Sequence, residues 1–355
     1  MKHPAICIDL DKIRFNTEKM VQQCHRRGIR VAAVTKLFCG DPVIAAELVA
    51  GGVDLLADSR IQNLKSLGHF PLPKMLLRIP MISQSADIVS YSDIALVSEP
   101  KTIQALSNEA SRQGKRYQVI LMIDLGDLRE GIFHEQEIHA AVKAVIEMPS
   151  IHLLGIGTNL TCYGGVKPSR ENLMRLVNLR KDLENANDII LEVISGGNGS
   201  TLSLFPSGDI PAEINQLRLG SSLTMGIGLN DEPIDGLHHD AFMLEAEITE
   251  IREKPSVPIG EIGLDAFGNK PVFVDKGMRM RAICAVGRQD VHPDHVRPID
   301  SRIQILGASS DHLILDITDT ASKLAVGDTV SFHLTYGGCL SAMTSAYVHK
   351  HFIRT

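Results

Sequence analysis

The sequence predicts a parallel (β/α)8 barrel of the TIM type followed by an antiparallel β domain. Three observations carry that expectation. Eight short apolar runs lie between residues 31 and 221, with helix-like segments between most of them. After about residue 235 the pattern changes to β-type runs closely punctuated by Gly and Pro. The length, 355 residues, exceeds what one hydrophobic core of average size organises.

The eight runs are Val31–Thr35, Asp54–Asp58, Met75–Ile79, Ile94–Ser98, Gln118–Asp124, His152–Asn159, Ile189–Ser195 and Asn215–Gly220. Pro42 and Pro100 stand at first helical positions of the segments that begin there, because proline has no N–H to leave unsatisfied. Residues Arg170 to Glu184 carry apolar side chains at helical spacing. The uneven spacing of the runs keeps a doubly wound open sheet as the alternative. Beyond residue 235 helical signals fade, and strands are expected at Phe242–Glu250, Pro271–Val274, Arg281–Val286, Ile303–Leu306, Leu313–Ile317 and Thr329–Leu334. The opening Ala5–Leu10 is also strand-like and is expected to pair with that later domain. The domains are therefore drawn at 11–234 for the barrel and at 1–10 plus 235–355 for the β domain.

Composition narrows the function classes. A formal charge of -6 and a pI near 6.2 argue against a nucleic-acid backbone as the main ligand. The six cysteines form no CxxC pair and no disulfide-scaffold spacing, as expected of reduced thiols in the cytoplasm. The start, MKHPAICIDLDKI, has charges inside its apolar stretch and does not read as a signal peptide. No run of about 18 apolar residues predicts a membrane span.

Chemistry is expected at the strand ends. Lys36 closes the run Val31-Ala32-Ala33-Val34-Thr35, just before the turn Gly40-Asp41-Pro42. A lysine emerging from the C-terminal mouth of a barrel strand, if desolvated, can act as a nucleophile or form a Schiff base. The alternative is a lysine snorkelling to solvent. Arg129, in Asp124–Gly131, offers a fixed cation for a carboxylate or phenolate, or else a surface pair with Glu130 or Asp127. Thr158-Asn159-Leu160-Thr161-Cys162 brings amide, hydroxyl and thiol groups to the end of the sixth run. Ser195-Gly196-Gly197-Asn198-Gly199-Ser200 follows the seventh, and Arg218-Leu219-Gly220-Ser221-Ser222 the eighth. Small residues after the last two strands are where barrels cradle phosphate with backbone N–H groups. A phosphate cradle together with a Schiff-base lysine calls for pyridoxal phosphate. The pairs His238-His239 and His292/His295 lack the context of a zinc site and read as loop histidines, so no metal is expected.

These stretches, with Ala57–Leu64, Asn159–Gly164, Gly260–Pro271 and Gly307–His312, resemble the fold-type III pyridoxal-phosphate enzymes, most closely the ornithine racemase group related to alanine racemase. The resemblance runs from Ile8 to about Tyr347. It implies a Schiff base on Lys36, Arg218 facing the pyridine nitrogen, and Arg129 near the cofactor phenolate and substrate carboxylate. It also implies Ser200, Gly220 and Ser221 at the phosphate loops, with Asn159 beside the cofactor. Tyr336, in Tyr336-Gly337-Gly338, looks like the phosphate-capping tyrosine of the related decarboxylases. The chain departs from alanine racemases where they present a tyrosine as opposite-face base: the matching stretch offers Asp265, and Ser310-Asp311 falls where the decarboxylases have a Cys-Asp pair. Asp265, Ser310 and Cys162 all stand as candidates for the second base. An Asp would need a raised pKa for that task, and Ser310 a neighbouring base. Asp311 is the candidate partner for a cationic substrate side chain, with His312 beside it as a substrate-orienting group. The resemblance further implies a homodimer with shared active sites. The expected activity is racemisation of a basic amino acid, ornithine first. The alternatives are a decarboxylase or D-threonine-aldolase-like lyase on the same fold, or a non-catalytic cofactor carrier.

Overall fold

A computed structural model describes residues 2–321 and 323–355. The chain divides into two compact units, Met1–Leu10 with Asp240–Thr355, and Asp11–His239. The first strand, β1 (Ala5–Asp9), belongs to the former.

The unit Asp11–His239 contains a closed parallel barrel of β2 (Arg30–Val34), β3 (Leu55–Asp58), β4 (Lys74–Leu76), β5 (Ile94–Val97), β6 (Tyr117–Met122), β7 (Ile151–Gly157), β8 (Val193–Asn198) and β9 (Gln216–Leu219). Each strand pairs with the next, and β2 pairs with β9, which closes the ring and excludes the open-sheet alternative. These strands are buried on both faces, so they read in sequence as unbroken apolar runs. Ala32, Leu55, Met75, Leu96, Ile120, Leu154 and Val193 belong to the barrel core. Gly155 permits the approach of β8: a Cβ there would stand 2.0 Å from the Val193 carbonyl oxygen.

Helices follow most strands, with caps that explain their starts. Asp41 accepts the Val43 N–H at 2.8 Å ahead of Pro42–Ala50. Ser169 and Asn172 form a reciprocal capping box ahead of Arg170–Asn187. The seventh strand begins at Val193 and not at Ile189. Residues 189–192 are irregular chain held to the end of the preceding helix, with the Ile189 N–H on the Glu184 carbonyl and the Leu191 N–H on the Glu184 side chain. At the other boundary the barrel unit runs on to His239. The His238 backbone exchanges two hydrogen bonds with the Asn16 side chain, and its ring meets Phe15 edge-on.

The second unit is an antiparallel sheet of β10 (Phe242–Pro255), β11 (Met278–Cys284), β12 (Val296–Pro298), β13 (Gln304–Ala308), β14 (Leu313–Asp316) and β15 (Thr329–Leu334), in the order β12-β15-β10-β11-β14-β13. β1 lies antiparallel to β10 and parallel to β16 (His349–Ile353). Two expectations fail here. Pro271–Val274 is not a strand; it lies in irregular chain with Val272 and Val274 exposed, so its β propensity has no buried face to serve. Tyr336–Thr344, in the region where the sequence predicts strands, is a helix capped by Thr335, whose hydroxyl accepts the Gly338 N–H.

Candidate active site

Lys36 sits immediately beyond β2, at the start of a single 3-10 turn, Lys36–Phe38. Leu37 and Phe38 point into the core, while Lys36 is exposed. Desolvation of this lysine, expected from the sequence, is therefore not supplied by its own chain.

Arg218 lies across the β2–β9 pairing, opposite Ala32. It is buried, and Nη1 donates to Ser195 Oγ at 2.6 Å while Nη2 donates to the Thr158 carbonyl at 2.7 Å. Burial pushes its pKa down to about 10, opposed by the nearby Glu130 carboxylate and furthered by Arg129. The guanidinium remains a cation at neutral pH. On the loops that follow β7, β8 and β9 lie side-chain atoms that are buried and have no hydrogen-bond partner among the described residues: Thr158 Oγ1, Asn159 Nδ2, Ser200 Oγ and Ser222 Oγ. Native interiors rarely leave such groups unmade, at roughly 1–3 kcal/mol each. Their gathering at one barrel mouth marks a place for a polar ligand. Gly220 and Ser221 open the short helix Ser221–Thr224 beside them.

Asn198 ties the sixth and seventh barrel loops together. Its Nδ2 donates to the Leu160 carbonyl at 2.9 Å and to Asn159 Oδ1 and Cys162 Sγ at 3.2 Å, while its Oδ1 accepts the Ser200 N–H. Asp127 does the same from the fifth strand's loop. Buried to 1 % exposure, it accepts the backbone N–H groups of Thr161, Cys162, Tyr163 and Val166 at 2.9–3.1 Å. Arg129 is paired with the Glu130 carboxylate through Nε and Nη2, the surface pairing that the sequence left open.

The β unit brings three of the other candidates together. Ser310 donates to Asp311 Oδ2 at 2.7 Å, so the serine has the neighbouring base it needs, and Gln289 donates to Asp311 Oδ1. All of Ser310, Asp311 and His312 are exposed, and the His312 N–H donates to Ser309 Oγ. Asp265 sits in a turn where it accepts the N–H groups of Asn269 and Phe267. The Asn269 N–H foremost holds its carboxyl below the usual range, opposite to the direction a Cα base requires. Its loop connects to the Ser309–His312 loop through Arg288, whose guanidinium covers the Phe267 ring at 4.2 Å and whose N–H donates to the Ser309 carbonyl. Tyr336 opens its helix, where the following Gly337 packs against the His295 ring. Among the described residues no cluster of His, Cys, Asp or Glu could hold a metal.

The domain profile described as "Alanine racemase, N-terminal domain" matches residues 8–227. The chain is 45% identical over 349 residues to ornithine racemase of Acetoanaerobium sticklandii, covering 98% of this chain and 99% of that protein. This chain belongs to the alanine racemase family. It is also 42% identical over 356 residues to lysine racemase of Thermotoga maritima, covering 99% and 98% of the two. Among solved structures, alanine racemase from Bartonella henselae with covalently bound pyridoxal phosphate matches with a TM-score of 0.76 at 17% identity, covering 99% of this chain and all of that one. That likeness shows the alanine racemase fold.

Within this family fold, sequence reasoning missed Asp58, Asp127 and Asn198. Asp58 and Asn198 each accept one backbone N–H two residues on, but their other partners, and those of Asp127, lie in other strands and loops that no local pattern points to.

Proposed function

We propose that the protein is a pyridoxal-phosphate-dependent racemase of basic amino acids, with ornithine foremost. The observation that carries this is the set of buried polar atoms without a partner among the described residues near Arg218, whose strand pairs with the one that leads to Lys36. The residues fit such a cofactor: the Ser200 and Ser222 hydroxyls are buried without a partner among the described residues, and Arg218 is a buried cation. Pyridoxal phosphate, when bound, supplies an aldehyde for imine formation and a ring that takes up the electron pair left as the Cα proton departs.

The chain's residues would divide the work as follows. Lys36 would hold the cofactor and exchange the proton on one face of Cα. Ser200, Gly220 and Ser221 would bind the phosphate, with Asn159 beside the ring and Tyr336 closing the phosphate end. Arg218, fixed by Ser195 and Thr158, would present a permanent charge to the ring nitrogen and keep it unprotonated. Arg129 would leave Glu130 to meet the substrate carboxylate. Ser310, hydrogen-bonded to Asp311, is the better candidate for the opposite face, because the pKa of Asp265 is shifted the wrong way. Asp311, with His312 beside it, would receive the cationic side chain.

The β-unit residues are proposed to act in a homodimer, each subunit completing the other's site. Exposed Leu128, Phe133 and Tyr163 on the barrel loops, and Ile259, Leu264 and Phe273 on the β unit, support an extensive protein contact. We place the protein in the cytoplasm on its cysteine usage. No helix among the described residues is long and apolar enough to cross a membrane. The presence of the β unit disfavours a simple cofactor carrier, and the names of the two relatives above 40% identity favour racemisation over decarboxylation or aldol cleavage.

The test is borohydride reduction of the loaded protein followed by peptide mapping, with a chirality assay on single amino acids. The label should lie on Lys36, and L-ornithine should racemise. A label on another lysine, or carbon dioxide or aldehyde in place of the enantiomer, would overturn the assignment.

A further inference from the structure

Asp58 ends β3 with its carboxylate wholly buried, and no cation pairs with it among the described residues. A buried, unpaired carboxylate is costly, and an apolar residue there would be cheaper. What it holds explains why the cost is borne. Oδ2 accepts the Thr35 hydroxyl at 2.6 Å; Oδ1 accepts the Arg60 N–H at 2.8 Å and Asn63 Nδ2 at 3.1 Å. Burial raises its pKa, and those hydrogen bonds oppose the rise.

Thr35 is the residue before Lys36. Its N–H donates to the Ala57 carbonyl, and its own carbonyl receives the N–H groups of Phe38 and Gly40, so Thr35 closes the Lys36 turn on itself. The far end of that turn rests on Asn63: a Cβ on Gly40, where φ is +63, would stand 2.8 Å from Asn63 Cβ. Ser66 Oγ donates to the Gly40 carbonyl at 3.2 Å. One carboxylate thus fixes Thr35 on one side of the turn and Asn63 on the other. Lys36 itself is exposed, so its backbone is what aims it.

We infer that Asp58 is the positioning residue of the Lys36 amine, clamping the Lys36–Gly40 turn through Thr35 and Asn63 so that the amine meets the aldehyde it must capture. This rests on the reading of Lys36 as the cofactor lysine. In capture the Lys36 amine adds to the aldehyde carbon, and one water leaves as the C=N bond forms.

The experiment compares Thr35→Val, Thr35→Ser and Asp58→Asn with the wild type in three measurements. These are the rate at which pyridoxal phosphate is captured (followed by absorbance and fixed with borohydride), the affinity for pyridoxamine phosphate, and thermal unfolding. Pyridoxamine phosphate has no aldehyde and reports ring and phosphate binding alone. Thr35→Val and Asp58→Asn should slow capture roughly 10- to 100-fold, the scale of a small misplacement of a reacting group. Pyridoxamine phosphate affinity should stay within about threefold, and Thr35→Ser, which keeps the hydroxyl, should capture nearly as the wild type does. Unchanged capture in Thr35→Val would overturn the inference even if Asp58→Asn fails to fold. So would a parallel loss of capture and pyridoxamine phosphate affinity, which would mark a general structural role. A wild-type label on a lysine other than Lys36 would remove the parent reading and this inference with it. A Lys36 label with no effect of the variants would remove the inference alone.

Discussion

Asp127→Asn tests whether one buried carboxylate holds the loop that carries Thr161, Cys162 and Tyr163. Oδ1 accepts the N–H groups of Thr161 and Val166, and Oδ2 those of Cys162 and Tyr163. An asparagine keeps one oxygen, so two of the four donors would face an NH2 group. Each buried donor left unmade costs about 1–3 kcal/mol, giving about 2–6 kcal/mol for the pair. The upper part of that range is out of reach, because residues 162–165 are exposed and water can replace the lost acceptor once the loop opens. The expected effect is about 2–3 kcal/mol of local stability, expressed as loop opening more than global unfolding. Native-state hydrogen exchange at the Thr161, Cys162, Tyr163 and Val166 amides should accelerate by roughly 30- to 140-fold, while amides in β6 and β7 change little. Protection of those four amides within about threefold of the wild type would refute the claim that Asp127 organises the loop.

Three further outcomes are expected. Gly287→Ala would place a Cβ 2.2 Å from the Ser310 carbonyl oxygen and 2.4 Å from the Asp311 N, both backbone, so the Ser309–His312 loop must shift; kcat should fall by a larger factor than the stability loss of about 1–3 kcal/mol implies, read by steady-state kinetics beside thermal melts. Asp311→Asn should reduce kcat/KM for ornithine by up to roughly fivefold beyond any loss for a neutral amino acid, the scale of an exposed ion pair, and an equal loss for both would assign Asp311 to proton transfer through Ser310. Asp316 is pushed up by burial, but Arg279 and Thr318 outweigh that and leave its pKa below the ordinary value of 3.8. Its stabilisation is therefore present above that value and lost as pH falls through the lower folded one, so acid titration of unfolding should show a steeper loss for the wild type than for Asp316→Asn.

The legible parts of this chain are those in which local sequence and environment agree. All eight barrel strands could be read because burial on both faces makes each an apolar run; the stretch Ser195–Asn198, read as a loop after the seventh strand, is the end of β8 itself, and only Gly199 and Gly220 follow their strands. Val272 and Val274 misled because β-branched residues look the same whether a sheet or solvent receives them. Tyr336–Thr344 misled in the other direction: two glycines in its first turn conceal a helix that Thr335 caps. Asp58 and Asp127 were silent because their partners are backbone N–H groups and side chains up to 39 residues away, which no residue pattern announces. The pairing of Arg129 with Glu130, and the low pKa of Asp265, depend on side-chain conformations that sequence leaves open.

The placement of β1 has a consequence for synthesis. Ile8 pairs with Phe242 on one side and Phe352 on the other, so β1 finds neither neighbour during synthesis until most of the residues after it have followed. At roughly 5–20 residues per second that delay is on the order of 10–70 seconds. In the interval β2 to β9 can pair in order, each with a neighbour already made, and only the β2–β9 closure spans the whole barrel. Ala5–Asp9, four apolar residues and an aspartate with unpaired edges, spends that time as a strand without its sheet. A nascent chain that has passed β9 but not reached β10 would therefore hold all eight barrel strands while β1 still lacks both neighbours and offers its edges to any other strand.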